Sequence, residues 1–294
     1  MVEYKDLVVE DIDLSDCEKR HSADKVIIYK TVGEEKVGLG LYYPKNYDKN
    51  NTYKLFVMVH GGGWQSHKIF EDQENWAGDH LGYLARYYAE KGFFVASIDY
   101  RLMRECGQPE NYQIIDLYDD CFEAVEYLKS ISKEYGFTFD NSIVLGESAG
   151  GYLAAALATF RFKGEPSFSK AILVNAITDF NDSNWYVRLP KKSNHPRIKD
   201  MSLDERCAFL SPVRNIDETT CKTLLIHGAC DSCVYPRNSQ SFYDEMHHYK
   251  RECDLVWIKD TNHAFLLDEY YKAAGLSLKA CYVGINTINE WLNV

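Results

Sequence analysis

The chain has 294 residues, 46% hydrophobic and 26% charged, with 18 glycines and 7 prolines, an ordinary globular composition that excludes disordered, collagenous and coiled-coil classes. Its 33 Lys and Arg against 44 Asp and Glu leave a formal charge of −11, which repels phosphate backbones and anionic lipid, so neither nucleic acid nor a membrane is an expected partner. Nine cysteines without framework spacing, and a start at Met1-Val2-Glu3-Tyr4-Lys5-Asp6 with no basic and apolar leader, suit a reducing, cytoplasmic setting for the chain as given.

No repeat, low-complexity tract or Pro/Ser-rich linker divides the sequence, so residues 1–294 are expected to form one domain. From Val26 onward, β-branched and aromatic runs with turn-like flanks predict strands at Val26–Tyr29, Val37–Tyr43, Leu55–His60, Phe93–Asp99, Ile143–Gly146, Ala171–Asn175, Thr223–His227 and Leu255–Lys259. Apolar residues three and four apart predict helices at Leu81–Lys91, Ile114–Tyr135, Gly151–Phe160, Asn238–Tyr249 and Leu276–Leu292. Leading strands followed by strand–helix alternation imply an α/β fold: a mostly parallel sheet with helices on both faces.

The first chemical motif is His60-Gly61-Gly62-Gly63-Trp64, which follows the strand at 55–60. Three glycines after a buried strand leave backbone N–H groups bare, as an oxyanion-binding loop requires. A phosphate cradle is the competing reading, but the Lys-Ser/Thr ending of a P-loop and the spacing of a dinucleotide fingerprint are both missing. Next comes Gly146-Glu147-Ser148-Ala149-Gly150, a G-x-S-x-G set between the apolar run 143–145 and a helical pattern from Gly151. Such a strand–turn–helix context holds a serine in strained backbone geometry with its hydroxyl above the sheet edge, whereas a plain glycine-rich turn would not need it.

Between 180 and 210 the rhythm breaks into a polar, aromatic and basic stretch carrying Trp185, Tyr186, Arg188, Lys191, Lys192, His195 and Arg197. Connections that long are usually functional, and a small cap over the site is expected, its aromatic residues contacting substrate and its basic ones solvated. Further on, Asp231 follows the strand at 223–227, and His263 lies in the loop after the strand at 255–259. Both positions are strand ends, where reacting groups gather in parallel sheets. Of the nine histidines, His21, His60, His67 and His80 precede Ser148, His195 lies in the expected cap, His227 ends a strand, and His247 and His248 sit in a helical pattern. That leaves His263 as the base. Asp260 is a rival orienter, three residues before His263 but on the strand terminus itself. Cys230 and Cys233 flank Asp231 in a C-x-x-C spacing, but no second Cys or His pair completes a metal set, and no metal or cofactor is expected.

Taken together, HGGGW at 60–64, Asp99-Tyr100-Arg101-Leu102, GESAGG at 146–151, Ser211-Pro212, HG-x-x-D ending at Asp231, and His263 resemble the α/β-hydrolase esterases of the hormone-sensitive-lipase-like type and their acetyl-xylan and feruloyl esterase-like carbohydrate-esterase relatives. The resemblance implies Ser148 as nucleophile, His263 as base, Asp231 as orienter, the N–H groups of Gly62, Gly63 and Ala149 as the oxyanion hole, and a structural Arg101. Trp64, Trp185 and Tyr186 are the expected substrate contacts. The residues before the first core strands look strand-like, unlike the helical N-terminal cap of the lipase-like type, which turns the expectation toward the carbohydrate-esterase relatives. The expected activity is hydrolysis of a short, acetyl-like ester of a sugar or small alcohol through an acyl-enzyme, an acylated oligosaccharide being one such substrate. The alternatives are an arylformamidase, which shares an HGG-x-W signature, a serine exopeptidase-like hydrolase, and a catalytically silent binding protein on the same fold.

Overall fold

The structure, a computed structural model, describes residues 1–7, 12–19, 22–65, 81–103, 112–164, 168–181, 184–189, 191–266 and 278–294. Nine strands among them form one sheet: β1 (Val2–Lys5), β2 (Lys25–Val32), β3 (Glu35–Tyr42), β4 (Tyr53–Val59), β5 (Phe94–Ile98), β6 (Phe137–Glu147), β7 (Lys170–Val174), β8 (Lys222–Gly228) and β9 (Cys253–Ile258), in the order β1-β9-β8-β7-β6-β4-β5-β3-β2. β2 and β3 form a hairpin through Gly33, whose φ of 60° suits the tight turn, and β3 runs antiparallel to β5. All other neighbours are parallel, as the strand–helix alternation predicts.

Side chains along a strand alternate between faces, so a buried parallel strand feeds two cores. On β4, Leu55, Val57 and Val59 join one hydrophobic cluster with residues of α3 (Ile114–Tyr135), α4 (Ala149–Thr159) and α6 (Arg237–His248), while Phe56 and Met58 join the other with α2 (Gly82–Glu90) and α7 (Leu278–Leu292). α4 is buried at every position, which explains its run of Ala and Gly: there is no solvent face to make polar. The remaining helices are short, α1 at Ser15–Lys19 and α5 at Leu203–Leu210.

Three features depart from the sequence reading. β1 pairs in parallel with β9 at the sheet's far edge, a partner some 250 residues away that its own four exposed or half-buried residues do not announce. β6 starts six residues earlier than predicted, at Phe137, and shifts register against β4 between Lys54 and Phe56. Within 180–210, a 3-10 turn at Asn184–Arg188 is followed by α5, whose start is closed by a reciprocal Ser202–Glu205 capping box. Its basic residues are not uniformly solvated, a further correction. Lys191 and Lys192 are exposed, but Arg197 donates to the Phe162 carbonyl at 2.8 Å and stacks on the Phe162 ring, covering apolar surface that would otherwise meet water. Residues 276–277 of the predicted last helix lie outside the described residues, as do His21, His67 and His80. Among the described residues no helix is long and apolar enough to cross a membrane.

Candidate active site

Ser148 stands between the end of β6 and the start of α4 with φ 58° and ψ −119°, a strained conformation held by its N–H donating to the Val174 carbonyl at 2.9 Å. The turn is so tight that a Cβ on Gly146 would lie 2.1 Å from the Gly150 carbonyl oxygen, and one on Gly150 would lie 2.1 Å from that of Val59. Only glycine fits either place, which is the physical content of the G-x-S-x-G spacing.

β4, β6, β8 and β9 are parallel, so the loops leaving them gather at one edge. There the Ser148 Oγ lies 2.8 Å from His263 Nε2, and His263 Nδ1 lies 2.7 Å from Asp231 Oδ2. The nearer carboxylate in sequence, Asp260, is exposed and makes no such contact, so the distance in space reverses the distance along the chain. The acid and histidine loops are stitched together by Asn262, whose Oδ1 accepts from the N–H of Ser232 at 3.1 Å and of His263 at 2.9 Å. Cys230 N–H adds a bond to the Thr261 carbonyl at 2.9 Å.

Asp231 receives more than His263. Its Oδ1 accepts the N–H groups of Cys233 and Val234, both at 2.9 Å, and its Oδ2 lies 3.3 Å from Nε2 of the fully buried His227. Burial alone would raise this carboxyl, but hydrogen bonds from His227 and His263 and the charges they carry when protonated hold it well below the usual carboxylate range. For His263 the balance is the mirror image: burial would lower it, while Asp231 and the adjacent Cys233 thiol outweigh burial and keep the ring above its ordinary value of 6.5.

Glu147, next to Ser148, is also fully buried. The N–H of Leu266 lies 3.2 Å from both of its oxygens, and Asn175 Nδ2 donates to Oε1 at 3.2 Å, while Asn175 Oδ1 accepts from Gly228 at 3.0 Å. One carboxyl thereby ties β6 to the histidine loop directly and to the end of β8 through Asn175. Its burial pushes it up to about 7, against the opposing pull of His263, Leu266 and Asn175.

The glycine loop begins at His60, buried with Nδ1 2.8 Å from the Gly61 carbonyl and Nε2 3.1 Å from Asp99, its ring stacked on Tyr100. Gly62 and Gly63 take φ values of 106° and 61°, so the loop turns back over the site in a conformation that favours glycine. Ala149 opens α4, where an N–H has no partner within its own helix and the helix dipole favours negative charge. Arg101 binds both oxygens of Asp120 at 2.7 and 2.8 Å, a structural pair away from the triad.

Trp64 requires a correction. It has no exposed surface, its indole N–H donates to the Ala149 carbonyl at 3.1 Å, and its ring meets Tyr152 edge-on. A buried indole of this kind braces the glycine loop against α4; it offers no face to a substrate. Trp185 lies on the outside of Trp64, their rings perpendicular with centroids 5.5 Å apart, and its Nε1–H donates to the Cys233 carbonyl at 3.1 Å. A Cβ on Gly63 would sit 3.8 Å from the Trp185 ring, so this half-buried indole spans the glycine loop and the Asp231 loop. Arg188 stacks over that ring and bonds Gln65. The Tyr186 side chain and the 66–80 loop lie outside the described residues. Cys230 and Cys233 are exposed free thiols, and among the described residues no cluster of three or more His, Cys, Asp or Glu could hold a metal ion.

Sequence reasoning passed over four residues of this site: Glu147, Asn175, His227 and Asn262. A signal existed for two of them, because Glu147 and His227 are polar side chains on apolar strand ends, and a polar group buried there requires a partner.

The sheet order, the tight strand–serine–helix turn, and the serine, aspartate and histidine on the loops that leave β6, β8 and β9 define an α/β-hydrolase. The chain belongs to the BD-FAE family, whose profile matches residues 39–246. It is similar to the bovine (Bos taurus) prolyl endopeptidase FAP, 25% identical over 81% of this chain and 29% of that protein, so it spans less than a third of that relative. It is also 25% identical to the probable carboxylic ester hydrolase LipM of Mycobacterium tuberculosis, over 77% of this chain and 53% of LipM. Among solved structures, esterase Est2 of Thermogutta terrifontis superposes with a TM-score of 0.71 over 92% of both chains at 21% identity, a likeness of fold.

Proposed function

We propose that the protein is a serine carboxylic-ester hydrolase that works through an acyl-enzyme. The observation that carries this reading is the unbroken hydrogen-bonded chain from Ser148 through His263 to Asp231, at 2.8 and 2.7 Å. His263 Nε2 takes the Ser148 proton as Oγ attacks the ester carbonyl, and Asp231 holds the ring in the tautomer that leaves Nε2 open and stabilises the imidazolium that forms. Negative charge developing on the carbonyl oxygen is met by the N–H groups of Gly62, Gly63 and Ala149. His263 then returns its proton to the leaving alcohol, and water, activated by the same ring, releases the acid.

The substrate class is a short, acetyl-like acyl group on a sugar or small alcohol. Supporting it is Trp185, the edge of whose ring lies against Gly63 and whose indole N–H bonds the Cys233 carbonyl beside Asp231, a placement that would limit acyl length. The likeness to a protein named as a probable carboxylic ester hydrolase points the same way. Likeness to the prolyl endopeptidases favours a second reading, hydrolysis of a peptide or other amide bond by the same residues. The test is a panel of p-nitrophenyl esters of rising chain length beside acetylated xylo-oligosaccharides, N-formylkynurenine and a prolyl peptide, with Ser148 labelling by a fluorophosphonate. Fastest turnover on acetyl esters supports the reading; turnover of the amides alone replaces it with the second.

A further inference from the structure

The carboxylate oxygen that meets the catalytic histidine is shared with a second histidine. Oδ2 of Asp231 lies 2.7 Å from His263 Nδ1 and 3.3 Å from His227 Nε2. The His227 ring has no exposed surface, and its tautomer follows from its neighbours: Nε2 lies 2.9 Å from the Val234 carbonyl, which only accepts, so Nε2 carries hydrogen, and Nδ1 takes the Ser239 hydroxyl at 2.7 Å. The Nε2–H therefore bonds the Val234 carbonyl and has Asp231 Oδ2 as its second polar neighbour, 3.3 Å from the nitrogen. We propose that His227, set by Ser239 of α6, is a positioning residue for the hydrolysis: it fixes the rotation of the Asp231 carboxylate and draws part of its negative charge away from His263. This rests on the reading of Ser148 and His263 as the reacting pair.

Two physical effects follow. With the His227 Nε2–H 3.3 Å away as a weaker fourth contact, in addition to His263 and the N–H groups of Cys233 and Val234, rotation of the Asp231 carboxylate is disfavoured and His263 stays aligned on Ser148. In addition, the positive end of the His227 N–H dipole faces the site where the imidazolium forms, which makes His263 less basic than a histidine alone on a buried carboxylate and brings it nearer to a working base. Other groups around the pair are the Cys233 thiol against His263 and Glu147 at the end of β6. From β9 the His227 ring meets the Trp257 ring, with centroids 5.9 Å apart.

The experiment follows the titration of His263 by proton NMR of its ring hydrogens, assigned by their loss in His263→Ala, which needs no substrate, and sets beside it the pH profile of kcat/KM on a p-nitrophenyl ester. His227→Phe, which keeps the volume but not the donor, moves the His263 midpoint up by about 0.5 to 1 pH unit, and the acid limb of kcat/KM with it. His227→Gln, whose amide N–H reaches the same place, returns both toward wild type. Ser239→Ala leaves the ring but frees its tautomer, giving a smaller shift of the same sign, and it carries the test should His227→Phe fail to fold in a thermal melt. Identical titrations in Ser239→Ala, the Phe variant and wild type, or a shift in His227→Gln as large as in His227→Phe, overturn the inference. An unreactive Ser148 in wild type overturns the hydrolase reading instead, and the NMR titration still decides whether His227 tunes His263.

Discussion

Replacing Glu147 by Gln tests the electrostatics of the site through stability. This carboxyl is fully buried beside Ser148, and burial lifts it from its ordinary 4.5 to about 7 in the folded chain. A carboxyl that keeps its proton longer when folded contributes stability below 4.5 and loses it as pH rises through the interval up to about 7. That interval, at about 1.4 kcal/mol per pH unit, corresponds to roughly 3 to 4 kcal/mol, most of which falls between pH 5 and pH 8. Gln has the same shape, still offers Leu266 N–H an acceptor and does not titrate. Urea unfolding of wild type and Glu147→Gln at both pH values isolates the group, because other titrations cancel in the double difference. The expected result is that the variant gains roughly 2 to 3 kcal/mol on wild type between pH 5 and pH 8. A double difference near zero, or of opposite sign, would refute the claim that this side chain is forced to ionise in an apolar site.

Four further outcomes follow from the geometry. Ser148→Ala keeps the fold and lowers kcat on esters by roughly 10⁴ or more, and retained turnover within about tenfold of wild type would remove Ser148 from the chemistry. Asp231→Asn is strongly damaging while Asp260→Asn, at an exposed position, leaves kcat/KM near wild type; the reverse ranking would mean the orienting carboxylate is misassigned. The kcat/KM profile rises with pH through the titration of His263, with its midpoint above 6.5 because Asp231 outweighs burial, and a profile flat down to pH 4 excludes a histidine base. Trp185→Ala raises KM or changes the order of preference among esters while Ser148 still reacts with a small fluorophosphonate, and unchanged kinetics over the whole panel would make Trp185 a bystander.

The glycines around Ser148 were legible in the sequence because the constraint on them is local: a turn that brings backbone within 2.1 Å of a would-be Cβ admits nothing larger, whatever surrounds it. Strand–helix alternation was legible for a similar reason, since periods of 2 and 3.6 residues are properties of the chain itself and dictate a parallel sheet with two covered faces. Choosing between Asp231 and Asp260 as the partner of His263 was another matter. Sequence proximity favours Asp260 and the strand-end position favours Asp231, which the sequence reading chooses; the pairing of β8 with β9 brings Asp231 to 2.7 Å from the ring and leaves Asp260 in solvent. The aromatic residue of HGGGW shows the same limit: Trp64 reads as a substrate contact next to an oxyanion loop, yet packing against Tyr152 and Phe180 buries it and puts Trp185, more than a hundred residues later, on the open side. Glu147 and His227 stood out locally only as polar residues on apolar strand ends, and the roles of these two and of Asn175 were beyond local reading, because what a buried polar group does depends on which donors and acceptors other strands bring within about 3 Å of it, and that is decided by tertiary packing.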